Sequence, residues 1–234
     1  MMEAILREGL SALSLPGSGV PALLRYAELL AEKNKVMNLT AITDPAEVAR
    51  LHFLDSAALL TLADFRGKAV VDVGTGAGFP GLVLKILEPS LALTLVDSLG
   101  KRVNWLSEVC EALSLDGVRC LHARAEELAL APEFRDGFDL AVSRAVAAFP
   151  LLCELCLPYV KVGGAFIAMK SVDSAAEVQA GEKAVKTLGG RLSAPVDYPV
   201  PGAGVTHRLV VVDKVFPTPR GYPRSWGKIK KAPL

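Results

Sequence analysis

Apolar residues in the first 65 positions recur every three or four residues, which is the spacing of one face of an α-helix. This spacing predicts three helices, over residues 3–13, 21–33 and 45–59. Thr43 or Asp44 can cap the third helix, because either side chain can accept a hydrogen bond from the first turn, and Pro45 suits that turn. We therefore expect residues 1–65 to form an N-terminal helical extension packed on the rest of the protein.

After Gly67 the pattern changes to short apolar runs that alternate with helical stretches. The predicted strands cover residues 69–73, 91–96, 118–122, 138–142, 165–169, 191–200 and 207–212. Such alternation predicts a mostly parallel sheet with helices on both faces, here over residues 66–215. Only residues 201–206 separate the last two strands, too few for a crossover helix, so we expect these two strands to be antiparallel neighbours.

The composition agrees with one large core. The chain has 234 residues and 51% of them are hydrophobic, which is enough for one core and short for two full domains. No apolar run approaches the roughly 20 residues that a membrane-spanning helix needs. Residues 1–10 lack the basic-then-apolar order of a signal peptide. We expect a cytoplasmic protein with no membrane partner.

Cysteine usage predicts no metal site. Cys153 and Cys156 form a C-x-x-C inside an apolar helical stretch, whereas a zinc site would need a second pair of ligands. A redox motif would instead open a helix after a strand. The interpretation that fits best is that these cysteines and the other two, Cys110 and Cys120, pack in the core.

The net charge of +1 conceals a basic end. Residues 214–234 contain six basic residues and no acidic one. We expect residues 216–234 to form a basic C-terminal tail. Such a tail can attract polyanions, and a solvated tail without a partner is equally compatible with the charge alone.

The most informative segment joins the first predicted strand to its helix, over residues 70–81 (VVDVGTGAGFPG). Glycines at the carboxyl end of a strand let the backbone approach a ligand closely and adopt positive φ. One interpretation uses the G-x-G-x-x-G dinucleotide fingerprint, a weak motif on its own, at Gly76, Gly78 and Gly81. The other is an acidic residue before a G-x-G-x-G run, similar to the first motif of S-adenosylmethionine methyltransferases, at Asp72, Gly74, Gly76 and Gly78. A turn that only packs the helix on the strand is the third.

Carboxylates after the next two strands support a nucleoside site. Asp97 ends the second strand, where a carboxylate can accept hydrogen bonds from both ribose hydroxyls. The same residue could also cap the following helix. Ala125 and Glu126 follow the third strand, where an adenine would lie, although Glu126 could simply be a first-turn carboxylate.

Several stretches along the chain match the pattern of one family in order and spacing. They are residues 34–40 (NKVMNLT), 52–56 (HFLDS), 72–81, 97–102 (DSLGKR), 143–145 (SRA), 169–170 (MK) and 207–211 (HRLVV). Together they closely resemble the bacterial 16S rRNA guanine-N7 methyltransferase G family, also called glucose-inhibited division protein B. The resemblance covers residues 25–225, and it is specific because methyltransferases in general do not share the N-terminal stretches.

The resemblance implies an α/β, class I methyltransferase fold, with a Rossmann-like, seven-stranded, mostly parallel sheet whose last strand is antiparallel. It implies transfer of a methyl group from S-adenosyl-L-methionine to N7 of a guanine in the decoding-region loop of 16S rRNA. By match of motif, the implied cofactor contacts are Gly74, Phe79, Ala125, Glu126 and Arg144. The implied partner is 16S rRNA or the 30S subunit, with no role for DNA, and we expect a monomer.

Guanine N7 already carries a lone pair, so this reaction needs no general base and depends on in-line positioning. The base must be unpaired or splayed out, because N7 lies in the deep, narrow groove of A-form RNA. We predict catalytic roles for Arg144 and Lys170, which follow the fourth and fifth strands, with surface charge as the alternative. His52 and Asp55 share a helix face, and a polar helix contact or an RNA contact suits them better than catalysis.

Basic residues outside the site are candidates for phosphate contacts. They are Lys101, Arg102, Arg208, Arg220 and Arg224, with Tyr222 and Trp226 available for stacking on bases.

Two other functions remain open at this point. An NAD-linked oxidoreductase would use the fingerprint that ends at Gly81, but Asp97 follows it too closely and Asp72 would have no role. A non-catalytic RNA-binding module would not need the glycines or Asp97.

Overall fold

Helices occupy the first part of the chain in the computed structural model, which describes residues 1–234. Helix α1 spans Met2–Ala12, α2 spans Val20–Met37, and α3 spans Pro45–Glu47. Asp44 caps α3, because its carboxylate accepts the N–H groups of Ala46 and Glu47 at 3.0 Å. The third predicted helix contains an irregularity that the spacing does not reveal: Val48–Leu54 is a π-helix, and α4 follows over Asp55–Leu62.

An eight-stranded sheet forms the centre of the molecule, in the order β3-β2-β1-β4-β5-β8-β6, with β7 also paired to β8. The strands are β1 Ala69–Val73, β2 Ala92–Asp97, β3 Val118–His122, β4 Phe138–Arg144, β5 Val160–Ser171, β6 Gly190–Leu192, β7 Val196–Pro199 and β8 Thr206–Lys214. Strands β1 to β5 are parallel, and β8 is antiparallel to β5. The strand order reverses between β1 and β4, and ligands bind at the carboxyl ends of strands at such a point.

The predicted fold is confirmed, with one difference in strand count. Strands β7 and β8 are antiparallel, as the short connection between them indicates. The single strand predicted over residues 191–200 is two strands, β6 and β7, on either side of Ser193–Pro195. Pro195 has no N–H to donate to β8, so pairing stops there and resumes at Val196.

The remaining helices cover the faces of the sheet. They are α5 Gly81–Leu87, α6 Gly100–Ala112, α7 Ala125–Leu128, α8 Phe149–Cys156, α9 Ala175–Ala180, α10 Glu182–Thr187 and α11 Trp226–Lys231. Gly181 separates α9 from α10. A Cβ there would lie 2.5 Å from the Phe149 ring, so the close packing of this turn on α8 requires glycine.

Two apolar clusters lie on opposite faces of the sheet. The first joins the N-terminal helices to α5 and α6 through Leu6, Tyr26 and Phe53. The second lies under α8, α10 and α11 and includes the fully buried Ile229. The N-terminal extension is thus part of the core, because it shares one face of the sheet with α5 and α6.

The residues predicted to form a basic tail are packed on the protein. We call residues 217–231 the C-terminal strap. The Arg135 guanidinium donates to the carbonyl oxygens of Thr218 and Tyr222, both at 2.8 Å. Pro223 and Ile229 are buried, so the strap is an ordered part of the second core.

Cys153 and Cys156 are fully buried in the core, as predicted, while Cys110 and Cys120 are partly buried, and all four are free thiols. No three histidine, cysteine or acidic side chains come together as metal ligands. None of the helices is long and apolar enough to span a membrane.

Candidate functional site

The glycine turn after β1 exposes bare backbone. Gly74, Gly76 and Gly78 have φ values of +71°, +60° and +95°, which favour glycine. A Cβ on Gly76 would meet nothing closer than the Gly74 carbonyl oxygen, 3.9 Å away. A Cβ on Gly78 would lie 2.5 Å from the Tyr26 hydroxyl. Gly76 therefore leaves open space for a ligand, whereas Gly78 allows α2 to pack against the turn.

Asp72 supports this turn from beneath. Its carboxylate is fully buried, and Oδ2 accepts hydrogen bonds from the Thr75 hydroxyl at 2.8 Å and the Gly81 N–H at 2.9 Å. Oδ1 is buried with no hydrogen-bond partner. Burial raises the pKa of Asp72 to about 6. The predicted cofactor contact thus shapes the loop, with Oδ1 as its one uncommitted acceptor.

Asp97 ties the end of β2 to the same turn. Its Oδ2 accepts the Gly76 N–H at 3.0 Å, and Oδ1 accepts the Leu99 N–H at 2.9 Å. The sequence predicts either ribose binding or helix capping for Asp97. The structure shows a further contact, the hydrogen bond from Gly76 that ties the glycine turn to the end of β2. Each carboxylate oxygen can accept more than one hydrogen bond, so both oxygens keep capacity for ribose hydroxyls.

A cavity of about 230 Å³ opens where β1, β2 and β3 end. Its lining includes Gly74, Asp97, Ala125, Glu126 and Trp226. Bare backbone, carboxylates with spare acceptor capacity and apolar walls are what an adenosine with an amino-acid end requires. These residues therefore fit S-adenosylmethionine.

A larger groove, of about 880 Å³, lies between α1, α2 and the residues that follow α2. Its lining contains no residue from the carboxyl ends of the strands, and its only charged lining residues are Glu28 and Lys35. The smaller cavity is lined by Gly74 of the glycine turn and by Asp97, and it is therefore the candidate cofactor site.

Arg144, at the end of β4, is held by the π-helical segment. Its guanidinium donates to the Leu51 carbonyl oxygen at 2.9 Å, to Asp55 Oδ2 at 3.2 Å and to His52 Nδ1 at 3.0 Å. It also lies over the Phe79 ring, 5.0 Å from the centroid. Three acceptors and an aromatic face fix a cation beside the predicted cofactor contact Phe79.

His52 is arranged as a neutral acceptor. Because Nδ1 accepts from Arg144, the proton lies on Nε2, which donates to the Thr40 hydroxyl at 2.8 Å. Burial, followed by the charge of Arg144, lowers the pKa of His52 to about 4. The ring stacks on Phe79 with centroids 4.6 Å apart. His52 therefore acts as a structural contact between the extension and Arg144.

Asp55 joins the two ends of the domain. Its buried carboxylate accepts from the Tyr198 hydroxyl at 2.9 Å and from His207 Nδ1 at 2.8 Å, in addition to Arg144. The hydrogen bond to Asp55 raises the pKa of His207. His52 and Asp55 thus share one helix face, as predicted from their spacing, and both side chains hold Arg144 in place.

Lys170 is engaged in supporting the loop after β4. Its ammonium donates to Glu177 at 2.6 Å and to the Ala147 carbonyl oxygen at 2.9 Å. Glu177 also accepts the first N–H of α8, at Phe149. The catalytic role predicted for Lys170 requires a cation free to reach substrate, so this geometry argues for a positioning role instead.

Comparison with known proteins identifies the family. The model of the GidB family, described as rRNA small subunit methyltransferase G, matches residues 20–197. A relative named ribosomal RNA small subunit methyltransferase G, from Acetivibrio thermocellus, is 42% identical over 100% of this chain and 97% of its own length. One of the same name from Lachnoclostridium phytofermentans is 48% identical over 89% of this chain and 87% of its own length.

The chain belongs to the rRNA small subunit methyltransferase G family. This confirms the resemblance and the expected class of S-adenosylmethionine-dependent methyltransferase. A S-adenosylmethionine-dependent methyltransferase from Aquifex aeolicus superposes with a TM-score of 0.53 at 19% identity, covering 78% of this chain and 97% of that one. At that identity the likeness shows the fold alone.

The NAD interpretation is not supported for this member of the methyltransferase G family. In the dinucleotide fingerprint the second glycine lets backbone approach a pyrophosphate. Here that glycine would be Gly78, and the space a Cβ would fill is taken by Tyr26 and Leu82. Tyr26 also donates its hydroxyl to the Ala77 carbonyl oxygen, which closes this side of the turn.

The predicted RNA contacts divide into free and paired cations. Lys101 and Arg220 have no acidic partner, whereas Arg102 lies 3.6 Å from Asp97. Arg208 is bound to Asp197 through two hydrogen bonds, at 2.7 and 2.8 Å. The Arg224 guanidinium binds the buried carboxylate of Glu154. The structure therefore contradicts a free phosphate contact for Arg224, because Glu154 has no other positive partner.

Three residues of the cavity lining are not among the cofactor contacts predicted from the sequence. Val146 packs over Gly74, and Leu155 and Trp226 complete the lining. The sequence predicts that Trp226 stacks on RNA bases. Nothing in the sequence indicates that the C-terminal residues lie at the ends of β1 and β2. In this methyltransferase G family member, only the folded strap shows that contact.

Proposed function

We propose that this protein transfers the methyl group of S-adenosyl-L-methionine to N7 of a guanine in the decoding-region loop of 16S rRNA. The observation that carries the proposal is the glycine turn beside the point where the strand order reverses. Gly76 leaves open space for a ligand there, and its N–H donates to Asp97. The turn occurs in a chain whose relatives are named ribosomal RNA small subunit methyltransferase G.

Attack by N7 needs no general base, and the residues around Arg144 agree with this. When bound, the cofactor supplies an activated methyl group on a sulfonium. The one histidine that contacts Arg144 is His52, which is a weak base because its pKa is about 4, and both of its ring nitrogens are engaged. A nitrogen that already carries a lone pair needs no proton removed, so the protein has to supply position and exclusion of water.

Arg144 orients the base in this proposal. Its guanidinium has five N–H donors, and the neighbouring helix engages only part of them. A donor directed at guanine O6 holds the base in place, whereas a donor on N7 would block the attack. The three acceptors around Arg144 hold its guanidinium in one orientation.

The cations without acidic partners outline an approach for RNA. Five of the ten lysines and arginines without an acidic partner lie on the strap and at the start of α6: Lys101, Arg220, Lys228, Lys230 and Lys231. The strap also contributes Trp226 to the cofactor cavity, so its lysines lie near the place where the target base must enter. We propose a single protein chain acting on 16S rRNA, alone or in the 30S subunit.

Methylation in vitro tests the proposed function. Ribosomal RNA and intact 30S subunits from cells lacking the protein are incubated with labelled S-adenosylmethionine, and N7-methylguanine is mapped by chemical cleavage. We expect one modified guanine in the decoding-region loop, and the better of the two substrates identifies the natural partner. Label on another atom, or no label in either substrate, refutes the proposal.

The salt dependence of RNA binding tests the strap. Arg220→Gln combined with Lys228→Gln removes two unpaired cations from it. Arg66→Gln combined with Lys68→Gln removes two cations before the amino end of β1, one of them 4.0 Å from Glu88, and is the control. Each lost phosphate contact lowers the slope of log affinity against log salt by about 0.7 for single-stranded RNA. We expect a drop of up to about 1.4 for the strap variant and none for the control. Equal slopes for both variants exclude the strap from RNA binding.

A further inference from the structure

The C-terminal strap forms part of the wall of the cofactor cavity. Trp226, the first residue of α11, lines the cavity together with Asp97, Ala125 and Leu155. The indole is partly buried, and three residues later Ile229 is fully buried in the second core. Trp226 is therefore held between the core and the cavity rather than on a free tail.

A buried ion pair sets the position of Trp226. Two residues before it, Arg224 donates Nε to Glu154 Oε1 at 2.8 Å and a terminal N–H to Oε2 at 2.6 Å. The Arg224 backbone N–H also donates to Oε1, at 2.8 Å. Glu154 lies in α8 directly before the cavity residue Leu155. One carboxylate thus fixes both the backbone and the side chain of the strap beside the cavity.

We propose that Trp226 contacts the adenosine end of the bound cofactor and that the Arg224–Glu154 pair positions it there. The inference rests on the proposed cofactor site and adds a residue to it from a segment outside the sheet. A purine ring needs an apolar surface in this cavity, and an indole that lines it together with Leu155 and Ala125 supplies one. Stacking of a base on an aromatic ring increases affinity, and its loss weakens binding by about 5- to 100-fold.

The chain has only two tryptophans, which makes the contact directly observable. Trp105 lies in α6, almost fully buried beside Tyr26 and outside the cavity. Trp105→Phe leaves Trp226 as the single indole, and Trp226→Phe leaves Trp105. S-adenosylhomocysteine is titrated into both variants, with emission followed by fluorescence and the Kd determined separately by calorimetry.

We expect emission from the Trp105→Phe variant to change with a midpoint equal to the calorimetric Kd, and emission from the Trp226→Phe variant to stay constant. Trp226→Ala should raise the Kd for S-adenosylhomocysteine roughly tenfold, with partial recovery in Trp226→Phe, and leave the Michaelis constant for RNA within about twofold. Glu154→Gln should also raise that Kd, and the melting temperature of each variant shows whether it is folded.

Constant emission from Trp226 while calorimetry shows binding overturns the inference and leaves the cofactor site intact. A Trp226→Ala variant that binds S-adenosylhomocysteine normally but RNA poorly also overturns it, since Trp226 would then belong to the RNA surface. Failure of the unmodified protein to bind S-adenosylhomocysteine refutes the proposed function and this inference together.

Discussion

Replacing His52 by glutamine should change the pH dependence of stability in a defined direction. Burial and the charge of Arg144 lower the pKa of His52 from 6.5 to about 4 in the folded protein. Between these values the unfolded chain binds a proton that the folded chain does not, so stability falls as pH falls from 6.5 to 4. At 1.36 kcal/mol per pKa unit, the loss assigned to His52 is roughly 3 kcal/mol across this window.

Asp72 acts in the opposite direction over nearly the same range. Burial raises its pKa from 3.8 to about 6, so the folded chain binds the extra proton and stability falls as pH rises through 6. The stability curve of the unmodified protein therefore sums two opposed contributions. The difference between the protein and its His52→Gln variant isolates His52, because Asp72 is present in both.

Chemical denaturation at pH 7.5, 6, 5 and 4.5 measures this difference. Glutamine can still accept from Arg144 and donate to Thr40, so at pH 7.5 the variant should be less stable by only about 1 kcal/mol, for lost stacking on Phe79. By pH 4.5 the variant should be the more stable protein. His122→Gln, which changes an exposed histidine outside this cluster, is the control. A difference between protein and variant that does not depend on pH would refute the account of His52.

Four further predictions concern the same site. Gly78→Ala should lower the free energy of unfolding by more than about 2 kcal/mol, since its φ is +95° and its Cβ would lie 2.5 Å from the Tyr26 hydroxyl. In Gly76→Ala the added Cβ meets nothing within 3.5 Å, so the free energy of unfolding should fall by only about 1 kcal/mol. For each kcal/mol of stability lost, however, this variant should weaken S-adenosylhomocysteine binding more than Gly78→Ala does. Asp55→Asn should lower the pKa of His207, measured by NMR, and the stability it removes should be greater at pH 5.5 than at pH 8, because a raised histidine pKa stabilises the fold at low pH. The maximal methylation rate should be level between pH 6.5 and 9, and a steep rise with pH in that range would indicate a general base that this account lacks.

The fold was predictable to the extent that its signals are local. The alternation of apolar runs and helices, the cap at Asp44 and the short link between β7 and β8 all lie within a few residues of what they determine. The break at Pro195 follows from the missing N–H of proline but was not predicted. The π-helix over Val48–Leu54 has no sequence signal of its own, since the apolar spacing there also fits an α-helix.

The site was predictable in its backbone and unpredictable in its partners. The glycine turn and Asp97 follow from the order of residues at the end of two strands. The hydrogen bonds that define the chemistry of Arg144, in contrast, come from residues about 90 positions earlier in the chain. Such pairings depend on how separate elements pack, and sequence spacing carries no information about them.

Charge shows the same limit. Residues 214–234 carry six basic residues and no acidic one, which indicates a free basic tail. Glu154, 70 positions before Arg224, lies buried in α8 and binds that arginine, and the buried Lys214 is held by Asp136 and backbone carbonyl groups. A count of charges along the chain cannot distinguish a solvent-exposed cation from one that neutralises a buried carboxylate.

A crystal structure of the protein with S-adenosylhomocysteine tests the central claim most directly. The account predicts the ribose hydroxyls within hydrogen-bond distance of Asp97, the purine between Ala125 and Trp226, and the amino-acid end against the backbone of Gly74 and Gly76. Density for the ligand in the groove between α1 and α2, or a side chain that fills the open space at Gly76 while the ligand is bound, would contradict it.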